Sequence, residues 1–322
     1  MTRDRVVALS GGIGGAKLAL GLSRIVGADN LLIVANTGDD FEHLGLHVSP
    51  DIDTLMYTLA GLDNTQLGWG RRDETWSFME TLAALGGEDW FRLGDRDLAV
   101  HVERTHRLRR GETLAEITAD FCRRLGVGPR VLPATDDPVR TRLNTDEGWL
   151  DFQDYFVRLR CRPVIRELVF AGAESACPQP DVLAALRSER LRAVIICPSN
   201  PFISIEPILA VAGMRQALAA CPAPVVAVSP VIGGRAVKGP TAKMMTELGI
   251  APGAAAVAQW YGSLLDGYII DIGDAGEAVG LTPRVTLAPT LMTSLAEREA
   301  LARVVLDAAD AIPCARRRNP AA

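Results

Sequence analysis

Four carboxylates, Asp39, Asp40, Asp51 and Asp53, fall within fifteen residues, shortly after the glycine-rich stretch Ser10-Gly-Gly-Ile-Gly-Gly-Ala-Lys17. Glycine-rich turns at a helix N-terminus let backbone N–H groups approach a phosphate, and the helix dipole adds attraction. Acids near such a loop suit a divalent ion: Mg²⁺ takes oxygen ligands and needs only one or two carboxylates when phosphates supply the rest. A plainer role is open to the same residues, because Ser49 and Asp51 are fitting N-caps and adjacent acids solvate turns. The loop matches neither standard fingerprint. A Walker A loop reads GxxxxGK[ST], whereas Lys17 lies between Ala16 and Leu18, and GxGxxG would need glycine at position 17 after Gly12 and Gly14. ATP hydrolysis and NAD binding are both disfavoured.

Other loops carry polar groups. Arg92-Leu-Gly-Asp95-Arg96-Asp97 packs charge around a glycine, and Pro198-Ser199-Asn200-Pro201 and Ser229-Pro-Val-Ile-Gly-Gly-Arg235 follow apolar runs, with Lys238 close behind. His43 and His47 are spaced for zinc on one helical face, but Gly45 intervenes and no HExxH-type glutamate accompanies them. No Ser-His or Cys-His nucleophile constellation is evident. The six cysteines form no CxxC pair, so buried reduced thiols in a cytoplasmic protein are expected.

These loops need elements to aim them. Arg5–Leu9, Leu31–Ala35, Ala193–Cys197, Val225–Ser229 and Tyr268–Asp271 are short apolar runs that end at turn signals and predict buried strands. Between them lie amphipathic helices, two opened by the capping boxes Thr113-Leu-Ala-Glu116 and Ser294-Leu-Ala-Glu297. Strands alternating with helices predict an α/β, Rossmann-like, doubly wound and mainly parallel sheet, with the loops after its strands gathered on one edge. One domain spans 1–322, with a helical insertion and a smaller β-containing section at about 60–173. The edge then collects a glycine-rich loop, acids, Asn, Ser and basic residues, which suits a nucleotide diphosphate with a metal.

Composition agrees. The 322 residues are 48% hydrophobic, enough for a sizeable core. A net charge of −5 without a basic tail argues against nucleic acid, and prolines interrupt the longest uncharged stretches, so no membrane span is expected.

The motifs SGGIGGAKL, NTGDD, SPDIDTLMYTL, GWGRRDETW, LGDRDLA, PATDDPV, PSNP, SPVIGG and LMTS, in that order from about residue 5 to 310, resemble the 2-phospho-L-lactate transferase family of coenzyme F420 biosynthesis. Its actinobacterial members transfer a phosphoenolpyruvyl group. The resemblance implies a Rossmann-like, Mg²⁺-dependent homodimer. It would move a phospholactyl-type group from a guanosine diphosphate ester to the ribityl hydroxyl of the deazaflavin FO (7,8-didemethyl-8-hydroxy-5-deazariboflavin), releasing GMP. A guanylyltransferase that makes the donor is the implied functional partner. Asp53 and Arg92 are the implied FO contacts, Asp39 and Asp53 the implied catalytic acids and metal ligands. Gly11, Gly12, Gly14, Gly15, Lys17, Asn36, Ser199 and Asn200 are the implied nucleotide contacts. Relatives with Ala at position 38 imply tolerance there.

Two other classes share features with this sequence. A nucleotide-sugar-binding regulator has the same glycine-rich first loop, but has no need of SPDID and LGDRD. An NAD-dependent oxidoreductase would share the strand–glycine–helix opening, but lacks GxGxxG. Two variants follow from the sequence: valine at Gly12 or Gly14 should block nucleotide binding in a folded protein, and Asp53→Asn should keep near-native melting.

Overall fold

The computed structural model describes residues 3–66, 69–236 and 239–313. Lys238, Cys314 and Gly68 of the GWGRRDETW motif lie outside the described residues. Seven strands form the central sheet: β1 (Arg5–Ser10), β2 (Leu31–Ala35), β3 (Arg130–Pro133), β4 (Leu191–Ile196), β5 (Val225–Val228), β6 (Gly267–Asp271) and β7 (Arg284–Ala288). All pairings are parallel, in the order β7-β6-β5-β4-β1-β2-β3. The doubly wound expectation therefore holds, and the first six strands have the order of dinucleotide-binding folds.

The apolar runs form strands because both faces are covered, so alternate side chains enter opposite cores. Val6 and Ala8 join one core with Leu31, Ile33 and Ala35, while Val7 and Leu9 join the other with Leu32 and Val34. The first core packs against α1 (Gly12–Val26), α2 (Pro50–Ala60) and the helix Leu295–Asp310. Both expected capping boxes are present, at Thr113 and Ser294.

The stretch after α2 is helical, with α3 (Ser77–Ala84), α4 (Asp95–Arg109) and α5 (Leu114–Arg124). β3 then pairs with β2, so the chain leaves the sheet twice instead of once. The second excursion carries an antiparallel three-stranded sheet of Arg140–Thr145, Gly148–Asp151 and Ile165–Ala171. Cys122, Cys197 and Cys221 are buried, but Cys161 is half-buried and Cys177 exposed; no disulfide links these five among the described residues. No helix among the described residues is long and apolar enough to cross a membrane.

Candidate active site

The strand order reverses between β1 and β4, and a ligand crevice is expected at their carboxyl ends. There the glycine-rich loop enters α1 and the PSNP loop lies across from it, in the wall of a cleft of about 790 Å³. Ser199 ties the two together: its Oγ accepts from the Gly11 N–H at 3.1 Å and donates to the Gly11 carbonyl at 2.7 Å. Asn200 caps the turn that follows, its Oδ1 accepting from the Phe202 N–H at 2.9 Å. Lys17 lines the cleft and donates to the Met292 carbonyl at 2.8 Å.

The four loop glycines differ in what they allow. A Cβ on Gly14 would collide with the Pro198 carbonyl, and one on Gly15 with the Ser10 and Ser199 hydroxyls. Gly15 lies behind the cleft wall, outside its lining. Gly12 has open space around it, but its φ of 63° disfavours side chains. Valine at Gly14 therefore disturbs the loop itself, and only position 12 gives the clean experiment. Gly12→Val is expected to melt within a few degrees of wild type and to weaken GDP binding at least tenfold by titration; unchanged affinity would make the loop purely structural.

The four acids occupy three environments. Asp51, in the first turn of α2, accepts from the Gly12 N–H at 2.6 Å and so caps α1 rather than its own helix. The Asn36 Nδ2 donates to Asp39 Oδ1 at 3.0 Å, Asp51 Oδ2 at 2.9 Å and the Ile203 carbonyl at 3.1 Å. Fully buried and outside the cleft lining, Asn36 cannot face a nucleotide directly. Its amide is consumed in aligning Asp39 and Asp51. Burial, and then the charge of Asp51, hold the Asp39 carboxyl well above the ordinary value; burial pushes Asp51 up to about 6. Two buried carboxylates sharing one amide suit a divalent cation, which supplies the missing positive charge through oxygen ligands. Asp40 is turned away, bonded to the Ser49 hydroxyl at 2.9 Å and facing His47 at 3.2 Å.

Asp53, two residues on and so rotated around α2, meets α4. Both oxygens accept from Arg104, Oδ2 at 3.1 Å from Nη1 and Oδ1 from Nη2. The His101 Nδ1 is 3.7 Å away, its Nε2 faces Asp97 at 3.4 Å, and Tyr57 donates to Asp97 at 2.6 Å. Burial raises the Asp53 carboxyl against the pull of Arg104 and His101. Asp53, Asp97 and His101 bring ligand atoms within 4.8 Å of one another, but the fully buried Arg104 already neutralises Asp53. A dication fits better between Asp39 and Asp51. Arg104 also corrects the expectation of near-native melting for Asp53→Asn, since that change leaves a buried guanidinium without its counter-charge.

Arg92 lines the cleft with its guanidinium 4.2 Å from the centre of the Trp76 ring, and Trp69 packs edge-on to Trp76. Two reciprocal caps hold this wall. Glu74 accepts from the first-turn N–H groups of Arg96 and Asp97 in α4, at 2.7 and 3.0 Å. Asp95 in turn accepts from Ser77 and Phe78 at the start of α3, at 3.1 and 3.0 Å.

The cleft thus collects Gly11, Gly12, Gly14, Lys17, Asp39, Asp53, Arg92, Ser199 and Asn200 of the expected residues. Sequence reading missed Asp51 as a cap for α1, and missed His101 and Arg104 altogether. Their signal was there: Asp97, His101 and Arg104 stand at i, i+4 and i+7, one face of α4. His43 and His47 lie on hairpin strands, not a helix, and His43 packs edge-on to Trp90 and Phe91. At Gly38 an added Cβ would meet Pro207 Cβ at 2.6 Å and Thr141 Oγ1 at 2.8 Å. The implied tolerance for Ala there does not extend to this chain unless those neighbours shift.

Fold and cleft define a doubly wound α/β protein with its site at the reversal of strand order. The model of the family described as 2-phospho-L-lactate transferase CofD matches residues 6–282, and the chain belongs to that family. It is 43% identical over 319 residues to a protein named phosphoenolpyruvate transferase from Streptomyces griseus, covering 96% of this chain and 99% of that one. It is 40% identical over 314 residues to one of the same name from Mycobacterium tuberculosis, covering 90% and 94%. The fold is shared with a solved UPF0052-family protein of Bacillus halodurans, at a TM-score of 0.63 and 14% identity, covering 95% of this chain and 99% of that one.

Proposed function

We propose that this chain transfers a phosphoenolpyruvyl group, or the closely related phospholactyl group, from its guanosine diphosphate ester to the ribityl hydroxyl of FO. The hydroxyl oxygen attacks the phosphorus distal to guanosine, the P–O–P bridge breaks and GMP leaves, giving dehydro-F420-0 or F420-0. The observation that carries this reading is the placing of the Asp39–Asp51 pair, the glycine-rich loop and the Arg92–Trp76 wall on one cleft in a chain of this family. The names of the relatives favour the phosphoenolpyruvyl group.

Such a transfer needs charge neutralisation and in-line positioning more than a protein nucleophile. Asp39 and Asp51 would hold Mg²⁺, with Asp53 on the acceptor side; when bound, the ion neutralises the diphosphate. The first-turn amides of α1 orient the phosphates. Asp53, fixed by Arg104, holds the acceptor hydroxyl in line, and Arg92 seats the deazaflavin. The test is mass spectrometry of the product formed from FO, GTP, Mg²⁺ and each phospho-acid, with the donor-making guanylyltransferase present. No deazaflavin phosphodiester with any acid would reject the reading.

Arg92→Ala is expected to raise the KM for FO about tenfold, equivalent to about 1.4 kcal/mol, with GDP affinity unchanged. An equal loss in both would place Arg92 on the nucleotide side instead.

A further inference from the structure

One wall of the cleft contains a bend that the proposed reaction has not used. Of the basic side chains lining the cleft among the described residues, Lys17 is bonded to Met292 and Arg92 lies over Trp76. Arg160 is exposed and lines the cleft, and its guanidinium makes no hydrogen bond or ion pair with the described residues. Its φ is 51° and that of Cys161 is 54°, two successive left-handed residues that are not glycine. Such a conformation is unfavourable for a residue with a side chain and persists only where its surroundings enforce it.

Here they do. The bend follows a single wide helical turn, Asp154–Arg158, of a kind frequent at functional sites. The Cys161 N–H donates to the Tyr155 carbonyl at 2.8 Å, and Lys243 Nζ donates to the Pro163 carbonyl at 2.8 Å. The Phe152 and Phe156 rings stack 5.3 Å apart, and Gln153 Nε2 donates to the Asp39 carbonyl at 3.2 Å. The segment carrying Arg160 is therefore tied to the turn that carries Asp39.

We propose that Arg160 receives the carboxylate of the phospho-acid on the donor and so separates an acid-bearing ester from bare guanosine diphosphate. This rests on the donor assigned above. A guanidinium presents paired N–H groups that match a carboxylate, and an unpaired one in a cleft wall has no internal partner to give up.

The test measures binding, by calorimetry with Mg²⁺, of GDP and of the enolpyruvyl ester of GDP to the full chain, to Arg160→Gln and to Arg160→Gly. Both variants should bind the ester about 10- to 100-fold more weakly, as expected for a lost charge-assisted hydrogen bond, and GDP within about twofold of wild type. Arg160→Gly should also melt at or above the wild-type temperature, because glycine relieves the left-handed strain. A residue that only supported the fold would lose binding and melting together. Unchanged ester affinity overturns the proposal, as does an equal loss for ester and GDP, which would put the contact on the diphosphate. A wild-type chain that binds the ester normally but forms no product with FO condemns the transfer reading and leaves Arg160 as assigned. One that binds neither ligand rejects the donor itself and the proposal with it.

Discussion

Asp53→Asn should reduce transfer by roughly a hundredfold or more, the usual cost of losing one electrostatic contact at a transition state. It should also lower melting. Arg104 is buried against both Asp53 oxygens, and breaking one side of a buried ion pair costs about 3–5 kcal/mol, on the order of 10 °C here. The two losses need separating, and the double variant Asp53→Asn/Arg104→Met does so. Removing the stranded guanidinium should recover most of the melting temperature, measured by calorimetry, and none of the turnover. If Asp53→Asn retains more than half of wild-type turnover at a temperature where it is folded, Asp53 serves only to balance Arg104.

Excess EDTA should abolish transfer, and Mg²⁺ should restore it, because the Asn36 and Gly12 amides that bond the two buried carboxylates are neutral and do not cancel their charge. The effect should depend on pH in a set direction. Asp51 titrates near 6 in the fold against an ordinary 3.8, so between those values the folded chain binds more protons than the unfolded one. The stability this proton contributes is full below about 4 and is lost as pH rises through about 6. A cation competes with the same proton, so Mg²⁺ should raise the melting temperature more at pH 8 than at pH 5. Full turnover in excess EDTA, or an equal Mg²⁺ shift at both pH values, would contradict the cluster as a cation site.

The five central strands were legible because β1, β2, β4, β5 and β6 are apolar on both faces and leave no competing period. The two edge strands were not. β3 is buried but only four residues long and ends in Pro133, too short to announce itself, while β7 is partly exposed along most of its length. The loops could be placed because they follow strands, and the acids because they cluster. Their division could not be read: along α2 a separation of two residues turns Asp51 towards α1 and Asp53 towards α4, a difference set by packing partners distant in sequence. Asn36 shows the same limit, since an asparagine at a strand end can face a ligand or hold its neighbours, and only the fold decides.

The reciprocal caps between Glu74 and α4 and between Asp95 and α3 have a consequence for cooperativity. Each helix start depends on a carboxylate from the segment that carries the other, so neither can fray alone without orphaning the amides of its neighbour. The wall that carries Arg92 and Trp76 is thereby made a single unit of local unfolding, open or closed as a whole. The sheet-edge loops are bonded to one another instead, through Ser199 and Asn36, and belong to a separate unit. One side of the cleft can then admit its ligand by a subglobal opening while the other stays formed.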